Sequence, residues 1–145
     1  MALYNLFCAD GFFVVGATMA YKWEWLGEGA EQILLIEFSD TSTTERWKEI
    51  LKEALVGFAG GELKILCDMN KHEAAVNHEG FIEITELTKG FGVEKTAIAM
   101  QVNERFYNDK INLLEAFAKR IGTGLKMYAA RDRAVAKKWL VDISF

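Results

Sequence analysis

Residues 66–80, LCDMNKHEAAVNHEG, hold a thiol, acidic side chains and both histidines of the chain. Those residue types are the raw material of metal binding and of general acid–base chemistry. Spacing argues against a shared metal face. His72 and His78 are six residues apart, about 240° around a helix, whereas a His-x-x-x-His pair presents both rings on one side. Cys67 ends an apolar run and is expected to point inward. The acid–base alternative draws on Asp68, Asn70, Lys71 and His72 at a strand end, where polar residues also serve to cap and solvate the turn into a helix. No Gly-x-Ser-x-Gly occurs, and the chain has only three serines, Ser39, Ser42 and Ser144. No cofactor, metal or catalytic set is therefore expected.

The elements that must position these residues follow from periodicity. ILLIEF (33–38), LKILC (63–67), TAIAMQV (96–102) and LKMYA (125–129) read as buried strands. Between them, Trp47, Ile50, Leu51, Ala54, Leu55 and Phe58 recur at helical spacing, after a capping-box signal of Ser42 with Glu45. A second helix is expected within 73–90, with Phe81, Ile84, Leu87 and Phe91 on one stripe. A third is expected over 109–121, with Ile111, Leu114, Phe117, Ala118 and Ile121 inward, and a closing helix over 132–140. Asp10-Gly11 suits a hairpin turn between apolar runs 3–8 and 12–19. Residues 20–32 suit an edge strand or an ordered loop. Strands alternating with helices imply right-handed crossovers, so the expected fold is α/β, with a mixed, mostly parallel sheet and an N-terminal hairpin.

In such sheets ligands collect at the carboxyl ends of the strands. That singles out four loops: 39–44, 68–73, 103–109 and the turn at 130–132. Their candidate binding residues are Asp40, Thr41, Asp68, Asn70, His72, His78, Glu79, Asn103, Arg105, Tyr107 and Arg131. The glycine-rich pieces GFAGG (57–61) and GTG (122–124) run from helix into strand and lack the Lys-Ser/Thr of a phosphate loop, so they read as helix stops.

Composition excludes other classes. Of the 145 residues 51% are hydrophobic and 26% charged, with a net charge of −4, which offers no general attraction to nucleic acid or anionic membrane. Residues 119–138 carry a local +6, leaving −10 elsewhere, so an anionic ligand could dock there, although a solvated helical face explains the same residues. Two cysteines are too few for a disulfide framework, which suits a reduced, cytoplasmic setting. The apolar start has no basic residue before Lys22 and is interrupted by Asp10, unlike a signal peptide. No run reaches the ~20 apolar residues of a membrane helix. The expected organisation is one domain over 1–145, with a hairpin and loop to residue 32 and an α/β unit over 33–140.

That unit resembles the STAS-like domains of bacterial anti-sigma-factor antagonists, especially their SpoIIAA-like relatives of unassigned role. The resemblance rests on the element order, on LKILCD (63–68), and on GLKMYAARDRAVAKKWL (124–140) with its Ala136, Trp139 and Leu140 ending. It implies a non-catalytic domain that binds a protein or a small ligand. Asp68 matches the family's strand-end aspartate and Gly80 its glycine, with one extra residue between. Asn77, His78 and Glu79 then stand where acidic and phosphorylatable residues would. No serine or threonine occurs from 66 through 84, so the phospho-switch is expected to be absent. Glu79 could imitate a standing negative charge. Relatives associated with membranes or apolar ligands add a variant, an amphipathic molecule held between helices, with Trp23, Trp25, Phe81 and Phe91 as candidates. The competing readings are an enzyme built on Asp68, His72, Asn103, Arg105 and Tyr107, and a homodimer joined through Trp23 and Trp25.

Overall fold

The computed structural model describes residues 12–15, 18–27, 32–38, 42–68, 74–102 and 107–144. In chain order these form β1 (Phe12–Val15), β2 (Thr18–Leu26), β3 (Ile33–Phe38), β4 (Ser42–Thr43), α1 (Thr44–Ala54), β5 (Gly61–Asp68), β6 (Ala74–Ala75), α2 (His78–Gly90), β7 (Val93–Gln101), α3 (Tyr107–Arg120), β8 (Gly124–Ala130) and α4 (Arg133–Asp142). The main sheet has the order β1-β2-β3-β5-β7-β8. Its β1–β2 and β2–β3 pairs are antiparallel and the other three are parallel, the mixed α/β arrangement expected from the sequence.

The alternation of side chains along the strands divides the interior in two. On one face Leu34, Ile36, Leu63, Ile65, Cys67 and Met100 meet Ile50, Leu51 and Leu55 of the first helical unit and Ile111 of α3. On the other, Ile33, Leu35, Leu66, Ala97 and Ala99 meet Ala136 and Leu140 of α4. Cys67 is fully buried, and burial, reinforced by the neighbouring Asp68 carboxylate, pushes its thiol far above the ordinary range. Trp139 stacks on Tyr128 of β8 at 5.3 Å, so the Ala136, Trp139 and Leu140 ending is the packing face of α4.

Several boundaries differ from the sequence reading. Residues 12–19 were expected as one strand but belong to two, which pair with each other. The Asp10-Gly11 turn lies outside the described residues. The 20–32 stretch contributes an interior strand, since β2 lies between β1 and β3. Its Tyr21, Trp23 and Trp25 pack toward α1, where the Trp25 indole donates to the Ala54 carbonyl at 3.1 Å and stacks on Phe58. The first helix is capped by Thr43, whose hydroxyl accepts from the Arg46 amide, while the Ser42 hydroxyl is buried and has no partner among the described residues. That helix ends at Ala54, before the paired glycines. The second begins only at His78, because the Asn77 side chain accepts from the Gly80 amide at 2.8 Å and Ala74–Ala75 pairs with Ser42–Thr43 instead.

Two close approaches require glycine. A Cβ on Gly60 would lie 3.2 Å from the Gly92 carbonyl oxygen, where the β5 and β7 entrances meet, and the backbone there has φ +90°. A Cβ on Gly80 would run into the Thr44 side chain, because the first turns of α1 and α2 lie against each other. Gly80→Ala is therefore expected to cost about 1–3 kcal/mol, an overpacking penalty, in chemical denaturation. Adding Thr44→Ala should recover part of it, since Oγ1 and Cγ2 disappear while the Thr44 Cβ, 3.1 Å away, stays.

The Tyr21 hydroxyl donates to Glu53 Oε1 at 2.8 Å, tying β2 to α1. Burial raises the Glu53 carboxyl above its ordinary value, the Tyr21 hydrogen bond lowers it, and Glu49 raises it further. The folded state then holds this proton more tightly than the unfolded chain, so the Glu53 contribution to stability falls as pH rises from about 4.5 through the raised value. Glu53→Gln keeps an acceptor for Tyr21 and removes the titration. Its melting temperature relative to wild type should climb across that window and level off above it.

Candidate functional site

The carboxyl edge of the sheet and the space between α2 and α3 are the two places where polar chemistry gathers. At the sheet edge, Glu37, Asp68 and Gln101 lie level with one another near the carboxyl ends of three adjacent strands. All three face α4, because each lies two residues beyond a side chain of that core (Leu35, Leu66 and Ala99). Arg133, the first residue of α4, reaches across them. Its Nε donates to Gln101 Oε1 at 2.9 Å, and its Nη2 lies 3.0 Å from Asp68 Oδ2 and 3.6 Å from Glu37 Oε2. One guanidinium thus clasps three strand ends and fixes where α4 starts, helped by Asp132, whose carboxylate caps that helix.

The second place is a cavity of about 510 Å³, a size ordinary for a small-molecule site. Its floor is Leu63, Ile65, Ile98, Met100, Leu125 and Met127, and its walls are Phe81 and Ile84 of α2 with Ile111 and Leu114 of α3. Trp47 of α1 closes one side. The cavity opens because α2 leans on α1, where Lys48 pairs with Glu83 at 3.3 Å, while α3 is held over β8, where Glu115 accepts from the Met127 amide at 3.0 Å. An aromatic bridge connects the two helices beside it. The His78 ring stacks on Phe117 at 4.8 Å, and Phe81 meets Phe117 edge-on at 5.7 Å.

The lining changes character from one end to the other. Asn77, His78, Lys110 and Leu113 are exposed, and Leu113 is 69% accessible although it lines the space, so these four mark the mouth. The middle is aliphatic and aromatic. Thr85, Thr88, Thr96 and Thr123 supply hydroxyls farther along.

Of the residues the sequence singled out, Asp68 belongs to the Arg133 clasp and His78 to the cavity mouth. Glu79 is exposed in the first turn of α2, where a carboxylate complements the helix dipole. Arg131 is exposed in the turn before α4. Asp40, Thr41, Asn70, His72, Asn103 and Arg105, and the side chain of Tyr107, lie outside what the structure describes. Asp68 and His78 serve different faces of the sheet. In the basic stretch 119–138, Arg133 is part of the clasp, Lys126 donates to the Ser144 carbonyl, and Lys138 pairs with Asp142 at 2.9 Å. Among the aromatic candidates, Phe81 lines the cavity, whereas Trp23, Trp25 and Phe91 pack around the core beside it. The sequence reading did not single out Lys110 or the four threonines that line the cavity. Thr85 and Thr88 carried a signal, since each stands one position after a member of the α2 apolar stripe.

A mixed sheet with three helices on one face and a lone C-terminal helix on the other defines the fold as SpoIIAA-like. One solved structure that supports this is that of an uncharacterised DUF3478-family protein with a SpoIIAA-like fold, from Shewanella loihica PV-4. It superposes with a TM-score of 0.60 at 15% identity, covering 88% of this chain and 98% of that one. No protein-family profile and no curated protein sequence matches the chain. Among the described residues, no helix is long and apolar enough to cross a membrane.

Arg133→Met keeps the side-chain stem but removes the clasp, leaving two carboxylates on neighbouring strands. A loss of about 1 kcal/mol in stability is expected at low salt, shrinking as ionic strength rises. Equal stabilities at low and high salt would show that the ion pairs contribute nothing.

Proposed function

We propose that this chain is a non-catalytic binding domain whose ligand is a small amphipathic molecule, taken up between α2 and α3 with its apolar body on the sheet. The observation that carries the reading is the cavity of about 510 Å³, apolar in its middle and polar at its mouth. Burying a hydrocarbon body there contributes about 25 cal/mol for each Å² of apolar surface removed from water. The Lys110 ammonium and the His78 and Asn77 side chains at the mouth suit an anionic or strongly hydrogen-bonding head. Such a ligand would join two helices that touch each other mainly through one aromatic bridge, so occupancy would be felt on the surface as a change in their spacing. That gives a regulatory domain a way to report its ligand to a partner protein.

An enzyme built around Asp68, His72 and Arg105 finds less support. The Asp68 carboxylate holds Arg133 and faces α4, on the side of the sheet away from the cavity.

Trp47 lines the cavity and makes binding visible by fluorescence. Titration with saturated fatty acids is expected to change that signal and raise the melting temperature. Ile98→Phe, which fills the floor, should abolish the response while the protein remains folded. Lys110→Glu should weaken binding of the acids about tenfold. If no acid gives a response in the wild type, or if Ile98→Phe binds as wild type does, the reading fails.

A further inference from the structure

The inner part of the cavity is not a plain hydrocarbon pocket. Thr123 lines it, and its Oγ1 is buried with no hydrogen-bond partner among the described residues. A buried hydroxyl left unpaired is costly, and native structures pair nearly all such groups. Thr96 lies alongside, since its register partner Leu125 is two residues beyond Thr123. Thr88, 8% accessible, donates its own hydroxyl to the Thr85 carbonyl, so its oxygen still offers lone pairs to a donor. Thr88 is in the last turn of α2, Thr123 follows α3 and Thr96 is in the first half of β7, so all three lie toward the amino edge of the sheet.

From this we infer that the ligand carries a second hydrogen-bonding group at its inner end, a hydroxyl or carbonyl received by Thr123 with Thr96 and Thr88, rather than a bare alkyl tail. The inference rests on the binding reading above and names its ligand class: a molecule polar at both ends and apolar between. A hydroxyl at that end both donates and accepts, as Thr123 Oγ1 does, so the pair satisfies each other where a methyl terminus leaves Thr123 unpaired.

The test compares straight-chain saturated acids of increasing length with their ω-hydroxy counterparts, followed by Trp47 fluorescence and calorimetry on the full chain. At the best chain length the wild type is expected to bind the ω-hydroxy acid about fivefold to tenfold more tightly than the plain acid, the worth of one buried hydrogen bond. Thr123→Val, nearly the same in shape, should erase that preference while retaining affinity for the plain acid, and Thr96→Val should reduce it. If plain acids bind as well as or better than ω-hydroxy acids at every length, the inner-end inference is overturned and the binding reading stands. If Thr123→Val keeps the full preference, Thr123 is not the receiver and the inference also falls. If neither series binds, both fall together.

Discussion

The two-sided burial of β5 is the constraint on which the rest of the molecule depends. Leu63, Ile65 and Cys67 on one face and Leu66 on the other are all at most 2% accessible. A strand buried on both faces needs cover above and below, and parallel neighbours can be reached only by crossovers long enough to hold a helix. The chain meets this demand unequally. Small residues on one side, Ala97 and Ala99 against Ala136, let a single helix settle close to the sheet. Bulkier side chains on the other side, Leu34, Ile36, Ile65 and Met100 among them, carry three helices. The cavity between α2 and α3 follows from that asymmetry, as helices anchored to different neighbours diverge over a wide floor.

The same asymmetry separates two kinds of polar residue. On the α4 side the strand ends are tied down by Arg133, and their charges are spent on locating a helix. On the three-helix side, the polar groups at the cavity mouth are exposed.

Much of the fold was legible from the sequence because it follows from periodicity. ILLIEF and LKILC announce buried strands, and Trp47, Ile50, Leu51 and Ala54 announce a helix face, since each element must hide a contiguous stripe. What escaped was set by contacts distant in sequence. Two-residue strands such as Ser42–Thr43 and Ala74–Ala75 have no period to detect. Two alanines favour a helix until Asn77 supplies a cap a few residues later. The alternation of Tyr21, Trp23 and Trp25 with Lys22 and Glu24 was visible, but whether β2 lay at an edge depended on β1. The candidate site was less legible still. A cavity is set by how far two helices stand apart, which no single stretch encodes. The Arg133 clasp needs Glu37, Asp68 and Gln101 brought level by strand register, although they span 64 positions of sequence.

Cys67 has a kinetic consequence. A thiol sealed in the middle of the sheet, with its proton held tightly by its surroundings, is shielded from alkylating reagents and oxidants while the sheet is closed. It reacts only when β5 parts from β3 or β7, and those are pairings whose loss opens much of the interior. The rate at which Cys67 takes up an alkylating label therefore clocks how often this molecule opens under native conditions, without denaturant.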